Sequence, residues 1–192
     1  MRVVLDRDDA GDVDHVVMAQ RNSEYARIAR DDYATPDWVT LALLSVETFR
    51  GMVWECAPGR GDMANVLAAQ GIDVLADNSV DFLETNSPFL SEAGNIVTNP
   101  PYGLADEFCY RALELTESCD GKVAMLLPHA FDAAKGRIDI FRDCSAFKAK
   151  YTLLRRIRWA NLEQKAAGPS TNHAWYVWDW KHRGPATMGW LT

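Results

Sequence analysis

Between positions 52 and 180 short apolar runs alternate with stretches whose apolar residues recur at helical spacing. MVWEC (52–56), IDVLAD (72–77), NIVT (95–98), KVAMLLP (122–128), TLLRRIRW (152–159) and HAWYVWDW (173–180) read as strands. MANVLAAQ (63–70), stopped by Gly71, and the stretches 104–118 and 131–146 read as helices. Upstream, Thr35 is placed to N-cap a helix, with Pro36 at its first position and Asp37 favoured by the helix dipole. Trp38, Leu41, Leu44 and Val46 make an approximate apolar face for it. Residues 15–30 are weakly helical in pattern. Strands alternating with helices predict an α/β protein with a doubly wound, mostly parallel sheet. Only a loop separates the last two strands, so that pair is expected to be antiparallel, giving six or seven strands in all.

Composition narrows this little. Of 192 residues, 48% are hydrophobic and 24% charged, which excludes a disordered chain. Length favours one domain over 1–192, with 1–32 as an N-terminal extension and no separate target-recognition domain. Cys56, Cys109, Cys119 and Cys144 form no CxxC pair, and no His or Cys is spaced to share a metal with His173. A reducing cytoplasm is therefore expected, with no metal. No apolar run reaches the roughly 18 residues of a membrane span, and the acidic N-terminus is unlike a signal peptide.

Charge is uneven. The net value is −7, yet residues 122–165 are net +6 and residues 41–121 net −10. The whole-chain charge argues against an anionic partner, and the local asymmetry argues for one. A solvated basic face is the plain alternative.

Gly59-Arg60-Gly61-Asp62-Met63-Ala64 fits G-x-G-x-x-A between a strand and a helix, where glycines let a ligand approach the backbone. A tight strand-to-helix turn explains the same residues. Two carboxylates add to it. Asp77, ending the second strand, is placed to accept hydrogen bonds from ribose hydroxyls. Glu55, ending the first, would repel a pyrophosphate and suits a cationic group such as an amino-acid ammonium. S-adenosylmethionine has ribose and ammonium and no phosphate.

Asn99-Pro100-Pro101-Tyr102 follows the NIVT strand. With the glycine turn upstream, YATP (Tyr33, Thr35, Pro36) and Asp81-Phe82-Leu83, in this order, the chain resembles the N6-adenine DNA methyltransferases over roughly residues 33–180. Its small size resembles an orphan form from a phage or prophage. The resemblance implies a Rossmann-like methyltransferase sheet and S-adenosylmethionine as cofactor. It implies that Tyr33, Thr35, Pro36, Glu55, Cys56, Ala57, Gly59, Gly61, Asp77, Asn78, Asp81, Phe82 and Asn99 form the cofactor site. Thr35 and Pro36 would lie against the methionine part, Asp81 would accept from the adenine amino group, and Phe82 would pack on that ring. A helix cap for Thr35 and a core position for Phe82 are the structural alternatives. Only four residues separate Asp77 from Asp81, too few for the helix and strand that this family usually places there, so that edge of the sheet is expected to be reduced.

The chemistry fits the tetrad. An aromatic amine is a poor nucleophile because its lone pair is delocalised. An Asn oxygen and the Pro100 carbonyl can each accept one N–H and orient the nitrogen, while prolines stiffen the turn. Tyr102 offers a flat face to an extruded base. His129, after the 122–128 strand, and Trp159, after the Arg155, Arg156, Arg158 cluster, are further substrate candidates. On a strand Arg156 and Arg158 would share one face and contact phosphates. DNA is the favoured partner and RNA the next, with a protein partner as one source of sequence specificity. Other classes stay open: methylation of an RNA base or a protein glutamine, a nicotinamide-dependent oxidoreductase using the glycine turn, or a non-catalytic nucleic-acid-binding module.

Overall fold

The computed structural model describes residues 34–84, 94–159 and 171–192. Tyr33, the 15–30 stretch and residues 160–170 lie outside them.

Seven strands form one sheet: β1 (Val53–Trp54), β2 (Val74–Leu75), β3 (Asn95–Thr98), β4 (Lys122–Pro128), β5 (Phe147–Leu153), β6 (His173–Asp179) and β7 (Thr187–Leu191). Their spatial order is β2-β1-β3-β4-β6-β5-β7. All run parallel except β6, which pairs antiparallel with both β4 and β5. The expected doubly wound sheet with one antiparallel late strand is what the chain adopts. Among the described residues three α-helices flank it: α1 (Asp37–Leu44), α2 (Asp62–Ala69) and α3 (Ala105–Glu117).

Strand alternation divides the core between two faces. Val123, Met125 and Leu127 of β4 pack with Phe108, Cys109 and Ala112 of α3 on one side. Ala124 and Leu126 point to the other, against Val39 and Leu43 of α1 and Met63 and Leu67 of α2. The three late tryptophans serve this packing. Trp175 Nε1 donates to the Val39 carbonyl at 3.0 Å, Trp178 Nε1 to that of Ile140 at 2.6 Å, and Trp180 Nε1 to the Thr116 hydroxyl at 3.1 Å.

Four local expectations fail. Pro36, not Thr35, is the N-cap residue of α1, with no side-chain cap. The buried face of α1 is Val39, Thr40, Ala42 and Leu43, whereas Leu41 and Val46 are 42% and 44% exposed. A short helix with apolar residues nearly all round carries too little periodicity to name its own buried side. The expected 131–146 helix is two 3-10 turns, Phe131–Ala133 and Lys135–Arg137. Gly136 weakens a helix there, and Arg137 bends back, donating to the Phe131 carbonyl at 2.7 Å and pairing with Asp106. The strand expected at 152–159 is shifted upstream to 147–153, because β6 begins at His173 and its pairing with β5 ends at Thr152↔Ala174. Arg156 and Arg158 are therefore not on a strand. β7, Thr187–Leu191, supplies the seventh strand at a position the sequence pattern does not mark.

At the opposite end of the sheet from the glycine turn and the tetrad, Glu47 is buried beneath Lys122 Nζ at 2.7 Å, Lys148 Nζ at 2.9 Å and the Tyr151 hydroxyl at 2.9 Å. This pins the loop before β1 to β4 and β5. No described helix is long and apolar enough to cross a membrane.

Candidate functional site

The sheet order reverses between β1 and β3, since β1 leads through α2 to β2 on one side and β3 leads through α3 to β4 on the other. Ligands of open α/β sheets bind at the carboxyl ends of strands at such a point. The chain leaves β1 at Glu55 and β3 at Asn99. The amino end of antiparallel β6 reaches the same edge, with His173 in register with Pro128.

Glu55 is 1% exposed. Its Oε1 accepts the Thr98 hydroxyl at 2.5 Å and the Ala57 N–H at 3.0 Å, while Oε2 takes no hydrogen bond from the described residues. Burial pushes its pKa up to about 7, against the two hydrogen bonds, which pull it down. Burial likewise raises the Cys56 thiol, so Cys56 is a neutral wall residue.

In the turn that follows, Gly59 and Gly61 have φ of 51° and 86°, the left-handed region that favours glycine. Asn78 Nδ2 donates to the Gly59 carbonyl at 2.8 Å, tying the end of β2 to this turn. Asp77 is exposed, and its Oδ1 accepts both the N–H and the hydroxyl of Ser79, which lower its pKa. Asp81 is exposed too and accepts the Leu83 N–H at 3.0 Å. Phe82 departs from expectation. It is 2% exposed, with its ring centroid 5.3 Å from Trp54 and 4.9 Å from Phe108. It is a core aromatic, packed between Trp54 and Phe108.

In the tetrad, Pro100 is buried and a 3-10 turn, Tyr102–Leu104, leads into α3. Asn99 Nδ2 donates to the Thr35 hydroxyl at 3.2 Å. Asn99 Oδ1 is buried and has no hydrogen-bond partner. The Tyr102 ring lies 5.7 Å from that of His173, tilted by 33°. The Trp159 ring meets the same histidine edge-on at 5.4 Å. Tyr102 and Trp159 are thus brought together by His173, which sequence reasoning had considered only as a metal ligand. The signal was its position as first residue of a strand, opposite the end of β4. Burial lowers the His173 pKa, partly offset by the Thr171 backbone, so the ring is neutral at neutral pH.

His129 is placed at the same edge by its backbone: its N–H donates to Asn172 at 2.8 Å and its carbonyl accepts the Tyr176 hydroxyl at 2.7 Å. Arg156 Nε donates to Asn172 Oδ1 at 2.9 Å, and the Arg155 guanidinium lies 4.9 Å over the Trp38 ring. Arg156 and Arg158 are exposed on either side of buried Ile157, so exposure alternates without a strand.

The basic stretch is less available than its charge suggests. Lys122 and Lys148 are bound by Glu47, Arg137 by Asp106, Arg142 by Asp143 and Lys150 by Asp132. Among the described residues no carboxylate pairs with Lys135, Arg155 or Arg158 in that stretch, and Arg156 is held by Asn172. The three arginines immediately precede Trp159 in the sequence. No group of three His, Cys, Asp or Glu among the described residues can hold a metal ion.

No family model and no curated protein matches the sequence. Solved structures do. A modification subunit of a putative type I restriction enzyme from Vibrio vulnificus YJ016 matches with a TM-score of 0.50 and 13% identity, over 84% of this chain and 46% of that one. A type I restriction-modification methyltransferase subunit from Streptococcus thermophilus gives 0.49 and 13%, over 79% and 45%. The 16S rRNA N2 G1207 methyltransferase of T. thermophilus, in complex with AdoMet and guanosine, gives 0.38 and 15%, over 78% and 40%. The chain thus spans less than half the length of these proteins. At such identities the likeness to the Vibrio protein is one of fold alone.

Proposed function

We propose that this chain is an S-adenosylmethionine-dependent methyltransferase acting on the N6 amine of an adenine extruded from DNA. The observation that carries the reading is the Asn99 amide, whose nitrogen is tied to Thr35 and whose buried oxygen has no partner, one residue beyond β3. An unsatisfied buried acceptor costs roughly 1–3 kcal/mol, a cost that a substrate N–H removes on binding. The tetrad's resemblance to the N6-adenine enzymes points to adenine, and a restriction-modification subunit shares the fold.

The residues present fit the cofactor. When bound, S-adenosylmethionine supplies a methyl group activated by a sulfonium. Glu55 has an oxygen to spare for an ammonium, which also favours its ionised form. Pro36, Cys56, Ala57, Gly59 and Gly61 would form the surrounding wall, with Tyr33 from the preceding segment. Asp77 and Asn78 would meet ribose hydroxyls, and Asp81 an amino group. Asn99 Oδ1 and the Pro100 carbonyl would each accept an N–H of the target amine and aim its lone pair. Once alkylated, the nitrogen sheds one proton, which a neutral amide oxygen passes to water rather than keeps. Tyr102 and Trp159, with His129 at the rim, would bound the base, and Arg156 and Arg158 would hold phosphates. Sequence selectivity would come from the loops after β4 and β5, or from a partner protein.

The test is tritiated methyl transfer to DNA, RNA and protein, followed by hydrolysis. Label in N6-methyladenine from DNA is expected. Label confined to ribonucleosides or glutamine overturns the acceptor, and no transfer to any pool overturns the activity.

A further inference from the structure

We propose that Thr35 is a positioning residue for Asn99, the group that holds the catalytic amide in plane. The inference rests on the function above and concerns a residue whose cap role the structure removes. Thr35 is buried at 6% exposure and caps no helix. Its hydroxyl accepts Asn99 Nδ2 at 3.2 Å from 64 residues away in sequence. This is the one hydrogen bond in which the Asn99 side chain engages among the described residues, because Oδ1 has no partner.

The terminal torsion of an asparagine is soft and roughly two-fold, so rotamer preference alone does not fix the plane of its amide. A hydroxyl acceptor on one side fixes it. With Nδ2–H spent on Thr35, the oxygen is the end presented to the substrate. That suits an amine, which brings donors. If the amide swung free, an NH2 group would face the target's own N–H, donor against donor. The tether also places Oδ1 without any contact to the substrate or the cofactor. Thr35 should then act on turnover through Asn99 and leave cofactor binding alone, unlike the direct cofactor contact that the family resemblance implies for it.

The full chain is compared with Thr35→Val, which keeps shape and loses the hydroxyl, and with Thr35→Ser, which restores it. Three quantities are read: S-adenosylmethionine affinity by calorimetry, single-turnover methyl transfer to duplex and single-stranded DNA, and hydrogen exchange of the Asn99 side-chain amide by NMR. The amide signals are identified by their loss in Asn99→Asp. Thr35→Val is expected to slow transfer about tenfold, the weight of one neutral hydrogen bond. It should change cofactor affinity by less than about twofold and deprotect the amide, while Thr35→Ser recovers rate and protection. Weaker cofactor binding at an unchanged rate would make Thr35 a cofactor contact and overturn the proposal. So would an unchanged rate in Thr35→Val when the wild type transfers methyl groups normally. If the wild type methylates nothing, the functional reading fails on its own. The exchange data still decide the tether, since equal protection in wild type and Thr35→Val refutes it.

Discussion

Thr98, the last residue of β3, donates its hydroxyl to Glu55 Oε1 at 2.5 Å, joining the two strands that flank the reversal of sheet order. The carboxyl held this way is buried and titrates near 7. An unfolded glutamate loses its proton near 4.5, so between about 4.5 and 7 the folded chain carries a proton that the unfolded one does not. Through this group, stability falls as pH rises across that window and levels off above it, about 3 kcal/mol lower.

Cofactor binding should show the mirror image. An ammonium beside Glu55 needs the ionised form. Affinity for S-adenosylmethionine should rise up to about tenfold per pH unit below 7 and flatten above, with proton release near pH 6. Calorimetry in buffers of different ionisation enthalpy measures this directly. Glu55→Gln should abolish the pH dependence, weaken binding, and raise the melting temperature of the ligand-free protein at pH 8. Pronounced pH dependence surviving in Glu55→Gln would assign it to another group.

Asn99 separates chemistry from binding. Asn99→Ala removes an acceptor that meets the target amine, so methyl transfer should fall about 10²–10³-fold while cofactor affinity holds. Asn99→Asp keeps an acceptor oxygen and should retain more activity than Asn99→Ala. The reverse order would mean that the amide's donor, not its oxygen, matters to the reaction.

The fold was legible where sequence pattern and structure share a period. β3 and β4 were read to the residue, because a buried parallel strand is a continuous apolar run bounded by turn residues. The glycine turn and the tetrad were legible because backbone chemistry restricts them to few residue types. What failed was set by distant partners. Strand pairing with β6, not local propensity, decides where β5 lies. The carboxylates that engage Lys122, Lys148 and Arg137 lie outside the basic stretch, at Glu47 and Asp106, so a segment charge count could not see them. The same holds for Thr35 and His173, whose roles come from contacts across the fold.

Glu47 offers a stability test far from the site. Burial alone would raise its pKa, but hydrogen bonds from Lys122, Lys148 and Tyr151 outweigh it, and the net shift is downward. Its contribution is present above pH 4.5 and is lost as pH falls through the lower folded value. Glu47→Ala leaves Lys122 and Lys148 sharing the longer pairs to Asp179, at 3.5 and 3.8 Å. It should cost about 3 kcal/mol, the low end for a broken buried pair because Lys148 keeps some solvent. Urea unfolding at pH 7 reads this, and the loss should shrink at pH 3.

The ion pairs also rescale what nucleic-acid binding should look like. A free +6 surface would give a steep salt dependence, near −0.9 in log–log slope per phosphate contact on duplex DNA. With five of the stretch's bases bound to carboxylates, a slope of only about two to three contacts is expected, with Arg156 and Arg158 contributing. Arg156 and Arg158 flank Ile157, which is buried with Leu153 and Trp175 and anchors the segment, so replacing both arginines should leave the fold intact. Arg156→Gln with Arg158→Gln should flatten the slope by up to about two contacts. It should do so alike on unrelated duplexes, because phosphates carry no base information. Fluorescence anisotropy between about 50 and 200 mM salt makes the measurement. A wild-type slope unchanged by the double substitution would move the contact surface away from this edge of the sheet, and with it the entry path for the base.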